Sequence, residues 1–248
     1  MVENGTVCAI HQPNFFPRLG TIAKIYAADI WVVLDDVQFA TRDYQHRTRV
    51  ARPGQPHRWL TLPVHRPSGR PTLIRDVLLC DGDRSARRVR QSLQQHYGRG
   101  THWSAVDQIL CEVVPLIHDG ARLAGIAEAT TRAALDLVGW RGTIVRSTDF
   151  DSSTERSARL ADLTQAVRAT TYLCGPSGAG YLDQTVFASR GLAVRYFQRS
   201  TPSAGDGSRN LGILHWLAGV GREGLGDLVA AAKDLALQSS GPFAAQSH

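Results

Sequence analysis

The sequence predicts an α/β fold, a mainly parallel sheet flanked by helices. Two short runs, Val7-Cys8-Ala9-Ile10 and Ile30-Trp31-Val32-Val33-Leu34, are apolar without alternation, as strands covered on both faces are. A helix-length segment separates them, which makes a βαβ unit. The same order of strand and helix patterns returns after residue 142.

Each element follows from local signals. Thr6 to Ile10 reads as a buried strand, Thr21 to Ala28 as a helix, and Ile30 to Leu34 as a second strand ending in Asp35-Asp36. Residues 42–50 are arginine-rich, and Arg58 to Val64 resembles a strand after the breakers Pro53, Gly54 and Pro56. Ser85 to Tyr97 favours a helix stopped by Gly98, and Asp107 to Leu137 is mostly helical with a break at Pro115. Gly142 to Val145 is a short strand. Ser157 to Val167 is a helix that Asp151 or Ser153 would cap. Thr170 to Leu173 and Leu192 to Phe197 are strands around a helical segment at Leu182 to Ser189. A polar loop spans Pro202 to Ser208, and helices at Asn210 to Ala218 and Leu225 to Leu237 close the pattern. Residues 1–238 are therefore expected to form one α/β domain with a helical insertion at about 85–140, followed by a flexible tail at 239–248.

Composition narrows the function classes. With 248 residues, 43% hydrophobic and 20% charged, the chain can bury a full core. No run approaches the roughly 20 apolar residues of a membrane span, and the start lacks a signal-like core, so the expected address is the cytoplasm with no membrane partner. The net charge is +6, yet of 28 basic residues only Lys24 and Lys233 are lysine. That skew fits a GC-rich genome better than selection for nucleic-acid binding. Arg84, Arg87, Arg88 and Arg90 crowd one helical stretch, where a solvated face and a surface for an anionic partner such as a carrier protein or an RNA fit equally.

Chemistry concentrates where the first strand ends. His11-Gln12-Pro13-Asn14 is a polar loop between strand and helix, the place where α/β proteins build ligand sites. His11 suits general acid–base work or a hydrogen bond to a ligand anion, Gln12 and Asn14 suit substrate contact, and a structural histidine is the bland alternative. Asp35 and Asp36 end a neighbouring strand and should reach the same edge, where they would position a base, hold a metal or anchor an amine. Because strand residues alternate, one of the pair should enter the cavity and the other cap or salt-bridge. Gln38, Arg42, Arg47 and Arg49 follow, with one or two arginines expected to clamp a substrate anion. Cys174 enters the turn Gly175-Pro176-Ser177-Gly178. Cys174 or Ser177 offers a nucleophile, the glycines offer backbone N–H groups to an anion, and a plain turn is the structural reading.

Several motifs are absent. There is no GxGxxG after the first strand, no GxxxxGK[ST], no HExxH and no GxSxG. Cys8, Cys80, Cys111 and Cys174 form no CxxC pair, and Cys8 and Cys80 read as buried small hydrophobes. No metal ligand set and no cofactor are expected.

The blocks Ile10-His11-Gln12-Pro13-Asn14-Phe15-Phe16-Pro17-Arg18-Leu19-Gly20 and Ala28-Asp29-Ile30-Trp31-Val32-Val33-Leu34-Asp35-Asp36-Val37-Gln38-Phe39 together resemble the WbqC-like family. Residues 44–50, 59–64 and 172–183 extend the match over most of 7–218. The resemblance implies proteins of O-antigen and secondary-metabolite gene clusters that decorate an amine with an acyl or aminoacyl group. Its blocks add Gly175, Ser177, Tyr181, Asn210 and His215 as substrate-contacting candidates. The chain departs from the family pattern at Arg18, where an aromatic is common, at Cys174, where serine is common, and at His215, which replaces an acidic residue. His215 beside Cys174 would make a thiol–imidazole pair. The expected function is amide or ester formation on a small-molecule amine acceptor, with Asp35, Asp36 or His11 taking the proton from the amine. The donor would be activated beforehand, as an acyl- or aminoacyl-carrier protein or an aminoacyl-tRNA. Two alternatives stand beside it. Pro17 to Thr21 and Arg146-Ser147-Thr148-Asp149 faintly resemble nucleotidylyltransferase motifs, which would imply an enzyme acting on a nucleotide or nucleotide sugar. A non-catalytic carrier-protein-binding module is the other.

Overall fold

The computed structural model describes residues 5–52, 55–178, 180–198 and 208–238. The expected loop at Pro202 to Ser208, apart from its last residue, and the expected tail lie outside them. Strand β1 (Val7–His11), helix α1 (Leu19–Tyr26) and strand β2 (Ile30–Val33) form the opening unit, with β1 and β2 parallel and Cys8 opposite Ile30. Strands β3 (Arg47–Val50) and β4 (Arg58–Thr61) pair antiparallel outside the main sheet, as do β5 (Val64–His65) and β6 (Leu78–Leu79). Helices α2 (Gly82–Tyr97), α3 (Trp103–Val113) and α4 (Leu123–Leu137) occupy the stretch predicted as helical, with a 3-10 turn at Val114–Leu116 around Pro115. Then follow β7 (Thr143–Arg146), α5 (Arg156–Ala166), β8 (Thr171–Cys174), α6 (Gln184–Ala188), β9 (Ala193–Tyr196) and α7 (Ile213–Gln238).

The main sheet is five-stranded and wholly parallel, in the order β7-β2-β1-β8-β9. The chain therefore builds outward from β1 in one direction, returns, and continues on the other side. The reversal falls between β1 and β8, and such a point leaves a crevice outside the carboxyl ends of the two strands. Alternation along the strands feeds two cores. Ala9, Trp31, Val33 and Leu173 pack with residues of α1, α4 and α7 on one face. Cys8, Ile10, Val32, Tyr172 and Cys174 pack with Leu160, Leu163 and Phe187 on the other. Burying both faces explains why β1 and β2 read as unbroken apolar runs.

Two local expectations, the cap of α5 and the burial of Cys80, are corrected. Helix α5 is capped by Glu155, whose carboxylate accepts from the Ser157 and Ala158 amides at 3.0 and 2.6 Å; Ser153 instead donates to Asp162. The two closing helices are present as expected: the α7 span is two helical segments separated at Gly221, whose backbone is non-helical with φ 73° and ψ −173°. Cys80 is only partly buried.

Candidate functional site

A cavity of about 820 Å3 opens at the crevice between β1 and β8. His11, Gln12 and Asn14 enter it from the end of β1, Gly175, Pro176 and Gly178 from the end of β8, and Gly20, Thr21 and Lys24 from one face of α1.

The loop after β1 is fixed from several sides. Phe16 sits at φ 45°, a left-handed conformation costly for an aromatic residue. Its amide donates to the Thr130 hydroxyl oxygen at 2.9 Å, its carbonyl accepts from the Thr48 hydroxyl at 2.9 Å, and both rings, Phe15 and Phe16, are fully buried. The Asn14 carbonyl accepts from the Thr130 and Thr131 hydroxyls at 3.1 and 3.3 Å. Gly212 closes against this loop, where a Cβ would collide with the Thr48 hydroxyl. Anchors of this kind hold a strained backbone in place and aim the side chains before it.

His11 Nδ1 lies 2.7 Å from the Gln12 carbonyl. A carbonyl only accepts, so Nδ1 carries the proton in the neutral ring and Nε2 is its basic nitrogen. The Gln12 side-chain carbonyl accepts from Gln45 at 2.8 Å, and Gln38 donates to the Arg70 carbonyl at 2.8 Å; both glutamines line the cavity. Tyr181 and Asn210 complete the wall. Tyr181 is 47% exposed beneath the Arg156 guanidinium, and the Asn210 carbonyl accepts from the Tyr44 hydroxyl at 3.1 Å.

Other expected residues are elsewhere. Neither Asp35 nor Asp36 lines the cavity. Asp36 accepts from the Ser147 hydroxyl at 2.6 Å and pairs with the Arg159 guanidinium. Asp35 is buried, and that burial, reinforced by Asp36, raises its pKa. The end of β2 does reach the cavity, through Leu34, Val37 and Gln38, but the Asp36 carboxylate is engaged by Ser147, which follows β7, and by Arg159, and Asp35 is buried. Arg47 and Arg49 do not line it either; both guanidiniums stack on Trp59, at 4.0 and 4.7 Å from the ring centre. Arg42 is exposed and also outside the lining. His215 lines a second cavity of about 810 Å3 with Tyr97, so it and Cys174 are not brought together as a pair. Cys174 is buried, donates weakly to the Gly175 carbonyl at 3.4 Å, and burial raises its pKa, an inert setting for a thiol. Ser177 lies in the 3-10 turn Pro176–Gly178 that follows β8. Arg146 pairs with Glu128, and Ser147 with Asp36, so the segment likened to a nucleotidyl motif is occupied structurally.

The cations that do line the cavity were missed. They are Arg18, Lys24, Arg156, Arg159 and Arg209, with Asp43 the one lining carboxylate among the described residues. Asp43 already accepts from the Tyr44 amide at 2.7 Å. Lys24 is 5% exposed, and its ammonium donates to the Ile10 carbonyl at 3.1 Å. Burial lowers its pKa to about 8, with Cys174 and Cys8 opposing. The sequence did carry a signal: Gly20 and Lys24 are four residues apart in a helix and share a face. Among the described residues no cluster of three metal-ligating side chains occurs, and no helix is long and apolar enough to cross a membrane.

Comparison with known proteins agrees with the opening blocks. The chain is 28% identical over 189 residues to the uncharacterized protein Rv1507c of Mycobacterium tuberculosis, covering 76% of this chain and 80% of that protein. No solved structure matches. The model of the WbqC-like protein family matches residues 12–221, a span that includes Gln12 and Asn14 of the loop after β1 and the turn after β8. On that match the chain belongs to the WbqC-like protein family.

Proposed function

We propose that the protein transfers an acyl or aminoacyl group from a donor activated beforehand to the amine of a small acceptor. The donor would be a carrier-protein thioester or an aminoacyl-tRNA ester, and the setting natural-product or O-antigen assembly. The observation that carries this reading is the His11 imidazole, held through Nδ1 at 2.7 Å from the Gln12 carbonyl on the wall of a cation-lined cavity.

The amine nitrogen attacks the donor carbonyl carbon, forming the C–N bond as the C–S or C–O bond breaks. His11 Nε2 accepts the proton that the amine loses and returns it to the departing thiolate or alkoxide. Fixing Nδ1–H on the Gln12 carbonyl keeps the ring in the tautomer that this step needs. Alignment of the two reactants can itself supply roughly 7–11 kcal/mol. The lining cations hold the donor's anionic part, and Tyr181, Gln12 and Asn14 are placed to contact the acceptor.

The test is mass spectrometry of the protein incubated with a loaded carrier protein or charged tRNA and a panel of amines, with ATP in parallel. Donor-dependent amide is expected, and His11→Ala should lower turnover by about 100- to 10,000-fold with thermal unfolding almost unchanged. Pyrophosphate released from ATP would favour the nucleotidyl reading instead. Donor binding without product would leave a carrier-binding module, and a wild-type rate in His11→Ala would remove the imidazole from the chemistry.

A further inference from the structure

Helix α1 presents Gly20, Thr21 and Lys24 to the cavity, residues separated by four and three positions and therefore stacked on one face. Lys24 is almost wholly buried, which is rare for lysine unless something pairs with it. Its ammonium has three N–H donors, and among the described residues one acceptor is recorded, the Ile10 carbonyl. The remaining donors lie at a cavity wall, beside Gly175, where even a built Cβ would stand 3.6 Å from the ammonium nitrogen. A Cβ built on Gly20 meets nothing within 4 Å, so protein packing does not require glycine there. Its missing side chain instead leaves room in front of the Lys24 stem. No side chain caps α1, and its Thr21 and Ile22 amides are already used, donating to the Arg18 carbonyl at 2.9 and 3.2 Å. Arg18, the residue preceding this helix, lines the same cavity.

We propose that the Gly20, Thr21 and Lys24 face of α1 is a phosphate subsite, which holds a phosphoryl group carried by the donor. This deepens the transferase reading by naming what the donor must bear. A buried ammonium with donors beyond its one carbonyl partner, a second lining cation in Arg18 and an open glycine match a compact anion with several acceptor oxygens. A carrier-protein prosthetic arm and the terminal nucleotide of a tRNA both supply such a group. The lowered pKa of Lys24 fits a buried ammonium awaiting a counter-charge.

Calorimetric titration of the full chain with pyrophosphate tests the subsite, using wild type, Lys24→Met and Gly20→Leu. Wild type should bind, and each variant should bind about tenfold more weakly or worse. Pyridoxal phosphate followed by borohydride gives the location. The amine condenses with the aldehyde, losing water, and hydride reduces the imine to a stable secondary amine. With only two lysines in the chain, label on Lys24 rather than Lys233, suppressed by pyrophosphate, is the expected map. Displacement of pyrophosphate by 4′-phosphopantetheine or by adenosine 5′-monophosphate identifies the source, and displacement by neither overturns the assignment to a donor. Wild-type binding in both variants, no binding of pyrophosphate, or label spread equally over both lysines overturns the subsite. Binding needs no turnover. A protein that takes pyrophosphate through Lys24 but transfers nothing refutes only the reaction, and one that transfers with both variants unaffected refutes only the subsite.

Discussion

At the scale of single residues, Lys24 distinguishes function from folding. Holding an ammonium in dry protein costs stability, and the cost has a pH signature. Its pKa is about 8 in the fold against 10.5 in an exposed chain, so the unfolded state binds more protons between those values. The penalty is fully present below pH 8 and fades as pH rises towards 10.5. Lys24→Met is therefore expected to stabilise the protein at pH 7 by about 1–3 kcal/mol in chemical denaturation, with the gain shrinking above pH 8. A variant that is less stable at pH 7 would mean the ammonium holds the fold together. His11 and Lys24 were unequally legible in the sequence. His11 announces itself as a polar residue after an apolar strand, while Lys24 sits inside a helix pattern whose orientation only the tertiary structure fixes.

At the scale of elements, the parallel strands were readable because burial on both faces leaves continuous apolar runs. The antiparallel β3–β4 pair was half visible. Arg58 to Val64 suggested a strand, but Arg47-Thr48-Arg49-Val50 was read as a charge cluster. Its strict alternation was the missed signal: Thr48 and Val50 are buried, and Arg47 and Arg49 face Trp59. Stacking on an indole uses the guanidiniums that were expected to clamp substrate. The carboxylates after β2 failed for a different reason, since sequence gives a strand's end without giving its neighbour. Asp36 works one step removed, by holding Arg159 at the cavity wall; its side chain is 16% exposed and that of Arg159 19%. Asp36→Asn should cost about 1–3 kcal/mol of stability and weaken donor binding more than the rate at saturating donor. A large loss of that saturated rate, with binding intact, would return Asp36 to the chemistry.

At the scale of the whole molecule, fold class was legible and site position was only partly so. The expected meeting of the first two strand ends in one pocket is half met: Leu34, Val37 and Gln38 after β2 reach the cavity, but its second principal wall is the end of β8. The strand order that places β8 beside β1 cannot be read from local patterns, because it is decided by which faces remain to be covered. That order yields one crevice at the reversal of the sheet, and the second cavity, beside Tyr97 and His215, lies off it. The central claim is that ligand engages the first of these two. Hydrogen–deuterium exchange of the full chain, with and without saturating pyrophosphate, tests it most directly. The account expects slowed exchange in the loop after β1, in the first turn of α1 and around Gly175–Gly178. Slowing confined to Tyr97–Gly100 and Leu211–Gly219, or no slowing beside β1, would contradict it.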